Sequence, residues 1–233
     1  MTQLHYIFDP VCGWCYGAAP LISAARHIPG INVVFHAGGM MTDLNRRPVT
    51  PQLRKYVIFN DERIAQLTGQ VFGKEYMDGL LCDSSAVFDS APPSTAILAA
   101  EQLAGRGLDM LQQLQIAHYV HGLRIAEIQV LQSIAKEMGL DVAAFTAAYA
   151  RLHGVETQRH FTTSRELLAR VGGQGFPTLA LEYADSTFER IDLGKWLGHV
   201  EEWADYLRHI AGRKADEESS ITELACNIHG CSI

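Results

Sequence analysis

The sequence predicts an α/β fold in which a helical block interrupts a small sheet domain, and three observations carry that reading. Short apolar runs rich in β-branched or aromatic residues lie near the two ends of the chain, from Leu4 to Phe8, Ile31 to His36, Leu179 to Tyr183 and Thr187 to Ile191. From Gly38-Gly39 to about Gly154 the strand signal disappears and apolar residues recur with helical spacing. The resulting order is βαβ, a helical insertion, then αββα, with residues 1–38 and about 155–212 forming the sheet domain and about 39–154 the inserted one.

Each element has a local reason. Leu4 to Phe8 is a buried strand closed by the turn pair Asp9-Pro10. Cys12 to about His27 is rich in Ala and Leu and reads as one helix, kinked at Pro20 because proline lacks the amide that would close a helical bond. Pro29-Gly30 ends it before the second strand. In the insertion, Pro51 to Leu67, Pro93 to Ala104, Asp109 to His121, Glu127 to Met138 and Val142 to Leu152 read as helices separated by Gly, Pro or Asn/Asp breaks. Ile128, Leu131, Ile134, Ala135 and Met138 form one core-facing stripe. Thr162 to Val171 is a helix, and Gly172-Gly173-Gln174-Gly175 a turn. Ala184-Asp185-Ser186 closes a hairpin between the last two strands. Trp196 to Ile210 is the closing amphipathic helix, with Trp196 and Trp203 facing the core. The composition of residues 213–233 predicts a polar, mobile tail.

Composition narrows the function. The 233 residues carry 19 Lys/Arg against 26 Asp/Glu, a formal charge of −7, with no basic cluster. That argues against non-specific nucleic-acid or anionic-membrane binding. No apolar run approaches the roughly 18 residues of a membrane span. Met1 to Asp9 has no basic n-region of a secretory signal, so a cytoplasmic location is expected. Five cysteines are too few for a disulfide-stapled scaffold of this length.

Their arrangement points to chemistry. Cys12 and Cys15 stand three apart on a first helical turn and share a face, close enough to form a disulfide. The free amides and positive dipole end of a helix N-terminus favour the thiolate of a cysteine placed there. Cys12 is then expected to be an exposed nucleophile and Cys15 the resolving thiol in dithiol–disulfide exchange. The competing reading, half of a zinc site, lacks a second ligand pair, since Cys82 is isolated and Cys226 and Cys231 lie in the tail. A CxxC at a strand-to-helix turn inside a βαβ unit is a strong redox signal.

Asp9-Pro10-Val11-Cys12-Gly13-Trp14-Cys15-Tyr16-Gly17 after the first strand, and Gly175-Phe176-Pro177-Thr178 before the third, resemble the thioredoxin superfamily. With the inserted helices, the likeness is to its DsbA-like branch, and within it to FrnE-like and protein-disulfide-isomerase-like proteins. The resemblance covers about residues 1–212. It implies a thiol–disulfide oxidoreductase with Cys12 attacking, Cys15 resolving and Gly13-Trp14 tuning the potential. Pro177 would be a cis-proline opposite the cysteine pair, and Phe176 would offer its backbone to an extended substrate. The partners implied are protein or peptide thiols and disulfides, with glutathione or a reductase as electron partner and no metal or organic cofactor. Gly-Trp in place of Pro-His does not imply a strongly oxidising potential. Two alternatives share parts of the pattern. Kappa-type glutathione transferases and hydroxychromene-carboxylate isomerases have the same architecture with serine at the first active-site position, and a redox-switched chaperone would hold clients on the helices.

Other residues receive secondary readings. Asp9, three before Cys12, is placed to carry protons or only to make the turn. Cys226 and Cys231, a CX4C around His229, are a candidate relay dithiol. His118 and His121 have metal-compatible spacing but no third ligand. Cys82 is expected to be partly buried.

Overall fold

The computed structural model describes residues 2–212. Its centre is a four-stranded sheet in the order β2-β1-β5-β6, with β1 Thr2–Phe8, β2 Ile31–Ala37, β5 Thr178–Glu182 and β6 Phe188–Ile191. β1 runs parallel to β2, pairing Leu4 with Val33 and Phe8 with Ala37, and antiparallel to β5, pairing Tyr6 with Leu179. This is the mixed sheet of a thioredoxin fold, as the element order predicts. The inner strands are covered on both faces, which is why they read as almost unbroken apolar runs. Alternate residues of β1 go to opposite layers. Leu4, Tyr6 and Phe8 pack with Leu21, Ile22 and Trp203, whereas Ile7 packs with Val171, Leu167 and Leu168.

The first helix differs from its prediction. It is two pieces, α1 Gly13–Gly17 and α2 Ala19–Ala25, meeting at Ala18, with Pro20 in the first turn of α2. Proline suits that position because the amide it lacks would be unsatisfied there anyway. The Tyr16 carbonyl, which a continuous helix would bond to residue 20, instead accepts the Gln70 side-chain amide at 2.7 Å. A local proline effect thus becomes a tie between α1 and the insertion.

The insertion is helical but not wholly so. Between the sheet halves lie α3 Pro51–Thr68, α4 Ala91–Ala104, α5 Gly107–Tyr119, α6 Ile128–Glu137 and α7 Val142–Leu152. A π-helical turn, Glu75–Gly79, and two 3-10 turns, Asp43–Asn45 and Leu80–Cys82, interrupt them. Two-residue strands β3 Arg47–Pro48 and β4 Val87–Phe88 also pair antiparallel, an addition to the all-helical expectation. Two residues are too few to show an alternation in sequence. Apolar packing is continuous between sheet and insertion: Ala96, Ile97, Met110, Leu114, Leu131 and Phe145 belong to the same buried cluster as Leu4 and Trp203.

α8 spans Val155–Arg170, starting well before the predicted Thr162. Its first turns carry Glu156, Gln158 and Arg159, which blur the apolar stripe. The predicted hairpin is present: Asp185 Oδ1 accepts from the Thr187 amide at 3.0 Å, and Ser186 has φ 62°. The closing helix, α9, occupies residues 200–212. Trp196 therefore lies before it, after a 3-10 turn at Leu193–Lys195, and reaches the core by stacking on Tyr206 at 4.9 Å. Trp203 is fully buried, its indole N–H donating to the Leu21 carbonyl at 2.9 Å. Cys226 and Cys231 lie outside the described residues.

Candidate active site

The end of β1 feeds directly into the cysteine pair. Asp9-Pro10-Val11 turns the chain, the Cys12 amide donating to the Asp9 carbonyl at 3.2 Å, and Cys12 becomes the N-cap of α1. Its carbonyl accepts the amides of Cys15 and Tyr16 at 3.0 and 3.1 Å. Both cysteines are unbonded thiols. The Phe176–Pro177 peptide bond is cis, and the Cys12 thiol donates to the Phe176 carbonyl at 3.4 Å. Turn and loop, separated by most of the chain, thus meet at the sulfur.

The two thiols have different surroundings. Cys12 is 6% exposed, so it is not the open nucleophile expected from its helix-end position. Trp14, Met40, Met41 and Phe176 wall a cleft of about 710 Å³ around it, and the sulfur is approached through that cleft. Cys15 is fully buried. The Asp9 amide donates to its sulfur at 3.5 Å and the Tyr6 hydroxyl to its carbonyl at 3.2 Å. Burial, with the neighbouring Cys12 sulfur second, pushes the Cys15 thiol pKa well up. A thiolate is thus disfavoured at Cys15 by desolvation.

Asp9 is fully buried and its carboxylate is committed. Oδ1 accepts from the Val11 amide at 3.0 Å and the Ser90 hydroxyl at 2.9 Å, and Oδ2 from the Met40 amide at 2.5 Å. Burial raises its pKa against these hydrogen bonds. The geometry makes it a clamp between the cysteine turn, the Gly38-Gly39 segment and the start of α4. Arg165 braces the same segment from α8, donating to the Gly38 carbonyl at 2.8 Å.

A second acid, Asp61, has no counterpart in the sequence reading. It lies on α3 at 3% exposure, lines the cleft, and accepts from the Tyr76 hydroxyl through Oδ2 at 2.9 Å. Its other oxygen sits against Gly13, where an ideal Cβ would be 2.7 Å from Oδ1. At Gly17, one turn on, a Cβ would be 2.8 Å from Ile64 Cγ2. The two glycines let α1 and α3 approach closely, which accounts for Gly13 inside the CxxC. Burial raises the Asp61 carboxyl to a pKa of about 7. The available signal was an acid on the stripe Val57, Asp61, Ile64 and Thr68, spaced as one helical face.

The remaining candidates separate cleanly. Trp14 forms part of the cleft wall, with the Arg63 guanidinium 5.8 Å above its ring. Phe176 lies over Gly38, where a Cβ would be 2.1 Å from the ring. Cys82 is exposed, contrary to expectation, because it ends a 3-10 turn at the surface. His118 is buried among Tyr76, Phe88 and Tyr119 while His121 is exposed, so the pair shares no face. Among the described residues no group of three His, Cys, Asp or Glu is placed to hold a metal, and no helix is long and apolar enough to cross a membrane.

Comparison with known proteins adds the family. The profile of the DSBA-like thioredoxin domain matches residues 3–197. The chain belongs to this family. It is a thiol–disulfide oxidoreductase, as its family and the relatives below support. Among solved structures it is similar to the cytosolic disulfide reductase DsbM from Pseudomonas aeruginosa, with 51% identity over 89% of this chain and 97% of that one and a TM-score of 0.84. DsbM solved with glutathione gives 50% identity, coverage of 89% and 98%, and a TM-score of 0.83. A proposed protein disulfide isomerase from Nitrosomonas europaea shares the fold at 22% identity over 91% and 98% of the chains, with a TM-score of 0.73. A search of curated proteins finds no match.

Proposed function

We propose that this protein reduces protein or peptide disulfides in the cytoplasm, with glutathione as its electron partner. The observation that carries this is the asymmetry of the two thiols: Cys12 faces the cleft and touches the Phe176 carbonyl, while Cys15 is sealed behind it. Cys12 as thiolate attacks a substrate disulfide, forming a mixed disulfide and releasing one thiol. Cys15, held as a thiol by its buried site until then, displaces the second thiol and closes the Cys12–Cys15 disulfide. Glutathione then returns the pair to the dithiol. Phe176 and Pro177 present a backbone edge to the substrate chain, and Gly13 and Trp14 form the near wall of its site. The far wall comes from β3 and α3, through Arg47, Pro48, Leu53 and Tyr56, so the insertion contributes to the choice of substrate. The reducing direction, the glutathione partner and the compartment draw support from DsbM, described as a cytosolic disulfide reductase and solved with glutathione.

The test is a redox titration. A Cys226→Ser/Cys231→Ser variant is equilibrated against graded reduced and oxidised glutathione, and the state of Cys12 and Cys15 is trapped by alkylation. A reductase should give a potential near that of thioredoxin, about −270 mV, and a value nearer the roughly −120 mV of DsbA would make the protein an oxidant. Absence of any reversible Cys12–Cys15 disulfide would defeat the redox reading itself.

A further inference from the structure

Thiol–disulfide exchange moves a proton at each step, and the cleft holds a group suited to moving it. Asp9 is not that group, because both its oxygens already accept hydrogen bonds in the core. Asp61 opens on the same cleft as Cys12, and among the described residues only its Oδ2 accepts a hydrogen bond, from Tyr76. Oδ1 lies against Gly13, between the two cysteines in sequence. Burying a carboxyl at an apolar helix contact is costly unless it is paired or neutralised. Among the described residues no Lys or Arg forms an ion pair with it, although Arg47 opens on the cleft from β3. The Tyr76 phenol from the π-turn faces it through that hydrogen bond, Cys12 shares its cleft, and the Tyr119 phenol at the end of α5 is near enough that, after burial and Tyr76, the Asp61 charge helps push its pKa up. A pKa of about 7 leaves both protonation states populated at neutral pH.

We propose that Asp61 is the acid–base residue of the exchange, giving a proton to the thiolate that Cys12 displaces and taking one from the thiol that attacks the outer sulfur of the mixed disulfide on Cys12. This rests on the cleft being the site of exchange with small thiols such as glutathione. In the forward step the Cys12 sulfur bonds to one substrate sulfur, the substrate S–S bond breaks, its electron pair goes to the leaving sulfur, and the Asp61 carboxyl proton follows. In reverse, a glutathione thiol gives its proton to the Asp61 carboxylate as its sulfur attacks the mixed disulfide. The glutathione disulfide forms, and Cys12 leaves as thiolate. Sulfur redox states and protons balance with no further reagent.

The experiment isolates that reverse step. A Cys15→Ser protein is loaded with glutathione on Cys12, and its release by reduced glutathione is timed from pH 5 to pH 9.5, with and without Asp61→Asn. A free thiol of pKa near 8.5 is about 3% thiolate at pH 7, so a base can gain at most about thirtyfold there and nothing once the thiol is ionised. We expect Asp61→Asn to slow release about tenfold at pH 7, with the two rates converging by pH 9.5. Tyr76→Phe, which removes a hydrogen bond that lowers the Asp61 pKa, should move the corresponding inflection upward. Equal rates at pH 7, or a slowing by the same factor at every pH, would overturn the proposal, the latter because it marks a structural role. Failure of Cys12 to take up glutathione at all would instead defeat the glutathione reading, and this proposal with it.

Discussion

The Ser90 hydroxyl donates to Asp9 Oδ1 at 2.9 Å, joining the residue before α4 to the turn that carries Cys12. Ser90 also receives the Met41 amide on Oγ at 2.9 Å and gives its own amide to the Met41 carbonyl at 2.8 Å. Three chain segments distant in sequence are thus pinned beside the turn that leads into Cys12. Asp9→Ala would strand the buried Val11 and Met40 amides and should cost about 2–4 kcal/mol, against about 1–2 for Ser90→Ala. The two losses should be less than additive, because they share one hydrogen bond. Urea unfolding of the single and double variants measures this.

Gly13→Ala tests the close approach of α1 and α3. Its Cβ would meet Asp61 Oδ1 at 2.7 Å and Ile64 Cδ1 at 3.2 Å. Overpacking of this kind costs about 1–3 kcal/mol, reduced by the better helix propensity of alanine. Adding Asp61→Ala should recover most of the loss. Equal stability of Gly13→Ala and the parent would show that α3 yields easily.

The division of labour between the thiols is tested by trapping. Cys15→Ser should accumulate a mixed disulfide on Cys12 with glutathione disulfide, whereas Cys12→Ser should leave Cys15 unmodified because it is fully buried. Mass spectrometry after alkylation reads both. Rapid modification of Cys15 in the absence of Cys12 would reverse the assigned roles.

Stability should respond to pH through two groups of opposite sign, the buried Asp61 and the half-buried His36. Asp61 has a folded pKa of about 7 against about 3.8 unfolded, so the unfolded state holds fewer protons between those values and stability falls as pH rises through that window. Asp61→Asn should therefore be more stable than the parent at pH 8, by up to about 4 kcal/mol, with the gain vanishing near pH 4. No gain at pH 8 would mean that the carboxylate is well solvated in the cleft.

His36 acts in the other direction. Burial first, then the charges of His5 and His160, lower its pKa to about 4. Nε2 of His36 meets Nδ1 of His5 at 2.9 Å, and Nε2 of His5 meets the Glu182 carboxylate at 2.9 Å, a chain across three strands. The unfolded state takes up a proton near pH 6.5 that the folded state refuses, so stability should drop by up to about 3 kcal/mol as pH falls from 6.5 to 4. His36→Gln should flatten that limb of the unfolding curve and leave the limb above pH 7 unchanged.

Much of this protein is fixed by local chemistry and is therefore legible in its sequence. Apolar runs of period two or unbroken burial mark β1, β2, β5 and β6, and helical spacing with Gly and Pro stops marks α3 to α7. Cys12 and Cys15 declare their chemistry by spacing, and Gly175-Phe176-Pro177-Thr178 by its likeness to a known loop. Other features exist only because distant segments converge. The break at Ala18 is stabilised by Gln70, the burial of Cys12 comes from Met40, Met41 and Phe176, and the Asp9 carboxylate is occupied by Ser90 and Met40. Gly13 has its reason in Asp61, a residue of another helix. Sequence patterns report what each segment prefers against solvent, and so they determine the elements and the reactive pair. Which carboxylate is saturated and which is left to open on the Cys12 cleft depends on partners that only the packed chain brings within hydrogen-bond reach.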